Sequence, residues 1–248
     1  MEWFGENPPT AIVVGGASGI GRALCELLCK EGYRVAVADR DKTGAEEVAH
    51  HIDGHPFEVD VADEASVVGL FDRALEVFGG SLDALAIPAG IADTTPFMEL
   101  TAETFRRVND VNVVGTFLCI REAAKRMKAG GRIVTVASIA GKRGGGLSGT
   151  AAYAASKGAV LALTRSAARA LAPQGIAVNC VAPGPTLTPM LDEPFSNAEH
   201  RRRVEGMTLL GRSAEPAEIA EAIAWLLSPR SSYVAGETLT VDGGLMLD

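Results

Sequence analysis

The sequence lacks any hydrophobic run of the roughly 20 uncharged residues that a helix needs to cross a lipid bilayer. It also lacks the basic start of a secretory signal, because residues 1–9 contain two acids and no Lys or Arg. The net charge of −8 argues against a basic surface that binds nucleic acid. We therefore expect neither a membrane nor a nucleic acid among its partners, and a short N-terminal lead-in at 1–9.

Residues that ligate metals are also few. The four Cys residues (Cys25, Cys29, Cys119 and Cys180) lie in apolar helix or strand patterns. Cys25 and Cys29 stand one helical turn apart and could in principle share a metal, but small core hydrophobes in a reducing cytosol are the simpler interpretation. The four His residues show no ligand spacing. We predict no metal site and a cytoplasmic protein.

No linker, charge block, composition break or internal repeat divides the chain, so we predict one domain over 1–248. The 47% of hydrophobic residues can bury a parallel sheet on both faces. Strand-like and helix-like patterns alternate, which predicts an α/β fold: a Rossmann-like, doubly wound parallel sheet of about seven strands with helices on both faces. Strands are predicted at 11–15, 34–39, 56–59, 84–88, 131–137, 176–182 and 238–241, and helices at about 19–31, 42–52, 63–78, 101–129 (with a break), 152–172 and 215–228.

A glycine-rich segment, Gly15 to Gly21, follows the first predicted strand and opens the first predicted helix. Glycines permit a tight turn and a close approach to a pyrophosphate, and the helix N-terminus offers free N–H groups. The spacing is G-x-x-x-G-x-G rather than the commoner G-x-G-x-x-G. Asp39 ends the second predicted strand, where a carboxylate can accept hydrogen bonds from an adenosine ribose.

Tyr153 and Lys157 stand four residues apart, on one face of a predicted helix. A phenol with a pKa near ~10 transfers protons poorly at neutral pH, and an ammonium one turn away favours the phenolate. The pair alone is a weak signal, because this spacing occurs by chance in many helices. Ser138 strengthens it, because Ser138 ends another buried-strand pattern and the carboxyl ends of parallel strands share one edge of the sheet.

In their order and spacing, these motifs resemble the short-chain dehydrogenase/reductase family in its short single-domain form. The resemblance extends over nearly the whole chain, from about Thr10 to Leu247. Further motifs that carry it are Asp60-Val61, Val111-Asn112-Val113-Val114-Gly115, Asn179 ahead of Pro183-Gly184, Gly211-Arg212 ahead of Pro216, and Val241-Asp242-Gly243-Gly244.

The resemblance implies a catalytic group of Asn112, Ser138, Tyr153 and Lys157. Tyr153 would be the general acid/base, and Ser138 would bind the substrate oxygen. Lys157 would lower the pKa of Tyr153 and bind the nicotinamide ribose, and Asn112 would hold a water that connects Lys157 to solvent. The predicted cofactor-binding residues are Gly15, Ser18, Gly19, Ile20, Gly21, Asp39, Arg40, Asp60, Val61, Ala89, Gly90, Tyr153, Lys157, Pro183, Gly184, Thr186 and Thr188.

The activity implied by the resemblance is hydride transfer between a nicotinamide cofactor and a secondary alcohol or ketone. Asp39 would accept from both ribose hydroxyls and repel a 2′-phosphate, so NAD is favoured over NADP although Arg40 follows. One alternative is a 3-oxoacyl-thioester reductase that acts on an acyl carrier protein, but its usual donor is NADPH. Another is a non-catalytic NAD-binding sensor, a class that tends to lose the Tyr or the Lys. The family also implies a homotetramer, with helices around 101–129 and 152–172 at one interface.

The sequence departs from the family pattern in three places. Val14 stands where the family usually has Thr, and Ile87-Pro88 replaces Asn-Asn, which removes hydrogen bonds that tie the sheet together. We interpret this as structural drift, because Ala89-Gly90 still permits close backbone approach. The loop that contains Gly144-Gly145-Gly146 is slightly longer than the common family form and could reshape the substrate pocket.

The stretch 185–210 is long for a connection inside a compact domain, and such loops are often lids. We predict that it closes over the substrate, with a small helical excursion that only packs as the alternative. Its apolar residues favour a small to medium, mainly uncharged alcohol or ketone, cyclic and polyhydroxylated compounds included. They are Leu187, Met190, Leu191, Phe195, Met207, Leu209 and Leu210. The run Arg201-Arg202-Arg203 is interpreted as a solvated helix face, with a docking patch for an acidic carrier protein as the alternative.

Overall fold

The computed structural model of the chain describes residues 8–145 and 150–247. Its seven strands form one parallel sheet in the order β3-β2-β1-β4-β5-β6-β7. The predicted fold class is confirmed, and no strand boundary differs from the prediction by more than one residue. The strands are β1 (Thr10–Val14), β2 (Arg34–Asp39), β3 (His55–Glu58), β4 (Ala84–Ile87), β5 (Arg132–Val136), β6 (Ala177–Pro183) and β7 (Thr238–Val241).

Ten α-helices connect the strands of the described residues. They are α1 (Gly19–Lys30), α2 (Lys42–Ile52), α3 (Glu64–Phe78), α4 (Ala102–Asn109), α5 (Gly115–Ala124), α6 (Ile139–Arg143), α7 (Ala151–Leu171), α8 (Pro189–Phe195), α9 (Ala198–Glu205) and α10 (Pro216–Leu227). A π-helical turn at Asp110–Val114 joins α4 to α5, which places the break predicted within 101–129. The predicted end of that helix at 129 was wrong, because α5 stops at Ala124.

Three short helices, α6, α8 and α9, are missing from the predicted helix ranges, although a helical excursion within 185–210 was an alternative and the Arg201-Arg202-Arg203 run was interpreted as a helix face. They contain five, seven and eight residues. So few residues give barely two turns, which is too short for an apolar period of 3.6 residues to stand out. Their start signals are local instead: the Asn197 side chain caps α9, and Pro189 occupies the first turn of α8.

Both faces of the sheet are covered, because successive side chains of a strand point to opposite sides. Ile12 and Val14 of β1 pack into one core together with α3, α5 and α7. Ala11 and Val13 pack into the other core, which α1, α2 and α10 complete. All four side chains are 0% exposed, so β1 lies at the centre of both cores and holds the turn that follows it in place.

The direction of chain winding reverses at β1, which pairs with β2 on one side and β4 on the other. In doubly wound sheets, ligands bind outside the carboxyl ends of the strands at this switch point. Asp39 ends β2, and Gly15, Ala89 and Ser138 follow β1, β4 and β5. The fold therefore brings these residues to the same edge of the sheet.

Candidate active site

A cavity of about 380 Å³ opens at the carboxyl edge of the sheet. Every catalytic and cofactor-binding residue predicted from the sequence lines it, with the exception of Asn112. Residues that are spread from position 15 to position 188 of the sequence thus lie around one cavity.

The turn between β1 and α1 leaves no room for side chains. Gly15 has φ +95°, and a Cβ there would lie 2.5 Å from the Ala89 nitrogen. A Cβ on Gly21 would lie 1.8 Å from the Gly15 carbonyl oxygen. Ser18 precedes α1, and its side chain makes no capping hydrogen bond. The first turn of α1 lines the cavity at Gly19, Ile20 and Gly21 beside the glycine backbone, an arrangement suited to a phosphate because first-turn N–H groups have no partner within the helix.

The carboxylate of Asp39 is held in place by backbone donors. Its Oδ2 accepts from the Ala17 nitrogen at 3.0 Å, and its Oδ1 accepts from the Asp41 nitrogen at 3.0 Å. Each carboxylate oxygen can accept a further hydrogen bond. Asp39 therefore lines the cavity next to the glycine turn with spare acceptor capacity, and the exposed Arg40 lines it beside Asp39.

Lys157 is buried in α7, with 4% of its surface exposed. Its Nζ donates to the Val136 carbonyl at 2.8 Å and lies 5.8 Å from the centroid of the Tyr153 ring. Burial lowers the pKa of Lys157 to about 8. The ammonium form is thus still the main form at neutral pH, beside the phenol as expected.

The pKa of Tyr153 differs in direction from the expectation. Burial raises the pKa of the phenol, and a hydrogen bond with Ser138 offsets this in part. Desolvation of the phenol sets this direction, rather than the expected lowering by Lys157, whose ammonium lies over the ring face. Ser138 also starts α6, where its Oγ accepts from the Ala140 nitrogen at 3.1 Å.

Asn112 lies behind the cavity wall rather than in it. It is 0% exposed at the centre of the π-helical turn, a feature frequent at functional sites. Its Nδ2 donates to the Ile91 carbonyl and to Ser156 Oγ, both at 2.9 Å, while its Oδ1 accepts from the Ile91 nitrogen at 2.8 Å. A Cβ on Gly90 would lie 3.1 Å from Asn112 Oδ1 and 3.2 Å from Lys157 Nζ, so Gly90 separates the two groups. Asn112 is therefore absent from the cavity lining, and its expected role in connecting Lys157 to solvent through a water stays a prediction.

The segment after β6 forms another wall. A Cβ on Gly184 would lie 2.7 Å from Asp242 Cα, so this turn packs tightly against the chain after β7. Thr186 is 5% exposed and pairs with Ala214 in an isolated parallel bridge. Thr188 precedes α8. Both threonines line the cavity.

Only part of the apolar surface expected from 185–210 faces the cavity. Met190, Leu191 and Phe195 line it, all from α8. Leu209 and Leu210 do not, and they are 71% and 67% exposed. Leu187 and Met207 are absent from the lining as well. The expectation failed for these four because α8 and α9 divide the segment, and α9 adds Val204 in their place.

Two of the three arginines in the run Arg201-Arg202-Arg203 of α9 contact neighbouring side chains. Arg201 Nε bonds Glu205 Oε1 at 3.0 Å, and its guanidinium lies 5.9 Å from the centroid of the Phe195 ring. Arg203 contacts His200 Nδ1 at 3.0 Å. Arg202 is exposed, as a solvated helix face predicts.

Several lining residues carried no signal in the sequence. They are apolar or small residues in the loop after β4 and in α6, and neither motif nor period marks them. These residues are Ile91, Ala92, Thr94, Ile139 and Ala140. The loop after α6, singled out for its glycines, falls in part outside the described residues, at 146–149.

The replacement of Asn-Asn by Ile87-Pro88 leaves the backbone connection intact. The Ala89 nitrogen donates to the Val14 carbonyl at 2.8 Å, which joins the end of β4 to that of β1. Within 8–145 and 150–247, no group of three or more His, Cys, Asp or Glu residues could hold a metal ion, and all four Cys residues are free. None of the helices described here is both long and apolar enough to cross a membrane.

Comparisons with known proteins identify the family of the chain. Residues 15–246 match a family model described as enoyl-(acyl carrier protein) reductase. The chain is 43% identical to cis-4-hydroxycyclohexanecarboxylate dehydrogenase of Sinomonas cyclohexanicum, over 98% of each chain. It is 41% identical to 2,5-dichloro-2,5-cyclohexadiene-1,4-diol dehydrogenase of Sphingobium indicum, over 95% of this chain and 96% of the relative.

Among solved structures, the short-chain dehydrogenase/reductase SDR:glucose/ribitol dehydrogenase from Brucella melitensis superposes with a TM-score of 0.91 at 34% identity, over 97% of each chain. The chain therefore belongs to the short-chain dehydrogenase/reductase family, and it is an oxidoreductase.

Proposed function

We propose that this oxidoreductase transfers a hydride between NAD and a cyclic secondary alcohol or its ketone, with Tyr153 as the general acid/base. The observation that carries the proposal is that Tyr153, Lys157 and Ser138 line the same cavity as the glycine turn and Asp39. A cofactor cradle and a proton-transfer group are thereby joined in one site.

The residues present fit a dinucleotide. The turn at Gly15 and Gly21 admits no Cβ, which suits a pyrophosphate against bare backbone, and α1 offers its N-terminal N–H groups. Asp39 would accept from the adenosine ribose, and Asp60 and Val61 would flank the adenine. Pro183, Gly184, Thr186 and Thr188 would hold the nicotinamide end. When bound, the nicotinamide ring supplies or accepts the hydride.

The remaining steps belong to the protein. Tyr153 would remove the hydroxyl proton of the alcohol on oxidation and return it to the carbonyl on reduction. Ser138 would donate to the substrate oxygen and stabilise the negative charge that develops there. Lys157, positively charged below its pKa of about 8, would favour the phenolate and bind the nicotinamide ribose.

The preference for NAD over NADP is part of the proposal. Asp39 lines the cavity where it would meet the ribose, and a carboxylate there would repel a 2′-phosphate. Arg40 also lines the cavity, and it is the group that could oppose this preference.

The cavity walls favour an uncharged ring as substrate. The charged residues among the described lining are Asp39, Arg40, Asp60 and Lys157, and the first three lie at or just after the ends of β2 and β3. The walls that come from the loop after β4, from α6 and from α8 are apolar or carry hydroxyl groups. The names of both relatives given above describe dehydrogenases of six-membered ring compounds. We propose that α8 and α9, within 185–210, form the lid over this end.

The proposal also covers the domain organisation of the chain, its assembly and its cellular compartment. One sheet takes its strands from Thr10 to Val241, which supports a single domain over 1–248. Phe105, Val114 and Phe117 are 39 to 44% exposed on the segment expected to form an interface, which supports a homotetramer. Four free cysteines suit the reducing cytoplasm.

The test is a substrate panel measured with NAD and with NADP. Cyclohexanol and cyclopentanol should be oxidised with NAD, and 4-hydroxycyclohexanecarboxylate should have a lower kcat/KM than the uncharged rings. The corresponding ketones should be reduced with NADH. A preference for the carboxylate would contradict the uncharged-substrate claim and leave the activity class standing.

Two alternatives are outcomes of the same panel. An acetoacetyl thioester preferred a hundredfold over ketones, with loss of that preference in Arg202→Glu, would make the protein a thioester reductase. Cofactor binding without turnover of any substrate would make it a sensor.

A further inference from the structure

Ser156 lies within the Tyr153–Lys157 segment, yet the acid–base scheme gives it no role. It is 0% exposed in α7. Its Oγ donates to the Tyr153 carbonyl at 2.7 Å and accepts from Asn112 Nδ2 at 2.9 Å. One hydroxyl thus joins the turn of α7 that carries Tyr153 and Lys157 to the π-helical turn between α4 and α5.

The direction of these hydrogen bonds is set outside α7. The Ile91 nitrogen donates to Asn112 Oδ1, and Asn112 Nδ2 donates back to the Ile91 carbonyl. If the Asn112 amide were flipped, its Nδ2 would face the Ile91 N–H and its Oδ1 would face the Ile91 carbonyl. Neither pair can form a hydrogen bond, so the orientation of the amide is fixed. The second Nδ2 proton is then available only to Ser156, whose own single proton must go to the Tyr153 carbonyl.

Asn112 is itself anchored from a second side. Thr116 Oγ1 donates to the Asn112 carbonyl at 2.7 Å, one turn further along the chain. Thr116 is 4% exposed, so this bond is shielded from water. The chain of hydrogen bonds therefore runs from a cavity-lining loop residue, Ile91, through a fixed amide to the backbone of Tyr153.

We propose that Ser156 is a positioning residue that acts through Asn112 to hold Tyr153 in register with Lys157. The proposal rests on the acid–base function proposed above for Tyr153. A serine that bonds a carbonyl one turn back is common in helices and has no functional meaning alone. What distinguishes Ser156 is the imposed direction of its proton and the catalytic pair on either side of it.

The first test is Ser156→Ala. We expect kcat to fall about tenfold, because small misplacements of reacting groups are costly. We also expect the apparent pKa of the pH–rate profile to rise by at least about half a unit, because a phenol held less firmly near Lys157 is less favoured as phenolate. In an Asn112→Ala background, Ser156→Ala should change kcat by less than about twofold, because both variants break the same path.

Thr164→Val is a matched control in the same helix. Thr164 is 0% exposed, its Oγ1 donates to the Val160 carbonyl at 2.8 Å, and it shares a hydrogen bond of 2.7 Å with Thr135 Oγ1. Thr164 differs from Ser156 in its position, because it lies almost two helical turns after Lys157 rather than between Tyr153 and Lys157. Thr164→Val should lower Tm as Ser156→Ala does while leaving kcat and the pH profile unchanged.

A second readout does not depend on turnover. The titration of Tyr153 can be followed by ultraviolet difference absorbance, with Tyr153→Phe to identify its signal among the three tyrosines. Ser156→Ala should raise the pKa of Tyr153 and Thr164→Val should not, even if the unmodified protein oxidises no alcohol and the proposed function fails. The positioning role is overturned if Ser156→Ala lowers only Tm, or if Thr164→Val shifts the titration equally.

Discussion

Asp39 uses both oxygens of its carboxylate to hold the backbone on either side of it. Replacing it with Ala would therefore disturb the glycine turn as well as the proposed ribose contact, since the Ala17 nitrogen donates to it. Asn is the sharper substitution, because it removes the charge while it keeps the shape and one of the two backbone hydrogen bonds, whereas Ala loses both.

We expect Asp39→Asn to reduce the preference for NAD over NADP by about tenfold or more in kcat/KM, the scale of one hydrogen bond to a charged group. The efficiency with NADP should rise, because repulsion of the 2′-phosphate is removed. Asp60→Asn is the matched control: Asp60 also lines the cavity, and its loss should affect both cofactors alike. Equal use of both cofactors by the unmodified protein would contradict the role of Asp39.

Glu122 is a buried carboxylate outside the site. It lies in α5 and is 1% exposed. Its carboxylate accepts hydrogen bonds from Lys125 Nζ at 2.7 Å, Arg126 Nη1 at 2.6 Å and Arg121 Nε at 2.9 Å. Burial alone would raise the pKa of Glu122, but the three cations outweigh it and lower the pKa from 4.5 to about 2. Arg126 also bonds Asp72 at 2.5 Å, so the cluster ties α5 to α3.

The lowered pKa gives a stability contribution with a definite sign. It is present in full above pH 4.5 and is lost as the pH falls towards 2, where the folded carboxylate takes up its proton. We expect Glu122→Gln to destabilise the protein at pH 7 by about 2 kcal/mol. That difference should shrink between pH 4.5 and pH 2 in denaturant titrations. Asp72→Asn, at the 61% exposed end of the cluster, should show a much smaller effect. A pH-independent difference for Glu122→Gln would refute this account.

At the scale of elements, the β1–α1 turn was the most predictable part of the site. An apolar strand, a glycine turn and a helix start are adjacent in the sequence, and the structure has them at Thr10–Val14, Gly15 and Gly19–Lys30. The close approach of Gly15 to the Ala89 nitrogen was harder to predict, because the two residues are far apart in the sequence.

Gly21→Ala should disable this junction. Its Cβ would lie 1.8 Å from the Gly15 carbonyl oxygen, which is backbone and cannot move aside without shifting the turn. We expect a loss of about 3 kcal/mol in the free energy of unfolding and no measurable NAD binding by fluorescence titration.

Gly69→Ala is the control for Gly21→Ala. A Cβ on Gly69, in α3, would meet only the end of the flexible Arg73 side chain at 3.3 Å. Alanine there should stabilise the helix by about 0.5–1 kcal/mol and leave NAD binding unchanged. Normal cofactor binding by Gly21→Ala would show that the turn is not the cradle.

Other elements could not be predicted from the sequence and are known only from the structure. The π-helical turn at Asp110–Val114 was expected as a break, but its type depends on packing around Asn112. The short helices α6, α8 and α9 form where capping residues meet a surrounding structure, and the sequence alone does not contain that structure.

At the scale of the whole molecule, the order of motifs predicted the position of the cavity at the edge of the sheet better than it predicted the apolar residues that line it. Residues at the ends of β1, β2, β5 and β6 were placed correctly because a parallel sheet brings those ends together. The apolar walls from Ile91, Ile139 and Val204 were missed, because aliphatic residues in loops and short helices look the same in sequence whether they line a cavity or pack elsewhere.

The direction of the pKa of Tyr153 depends on the whole fold for the same reason. The sequence places Lys157 one turn away, but burial of the phenol is set by every element around the cavity. Proton transfer by Tyr153 is the step on which the proposed function depends.

The most direct test compares the unmodified protein with Tyr153→Phe, which removes a single oxygen. Cofactor binding is followed by NADH fluorescence, and turnover by the rate of NADH formation from cyclohexanol and NAD. We predict cofactor affinity within about threefold and turnover lower by a factor of about 10² or more, the scale of a lost general acid/base. A variant that binds NADH normally and retains most of its turnover would contradict the assignment of Tyr153 as the proton-transfer group.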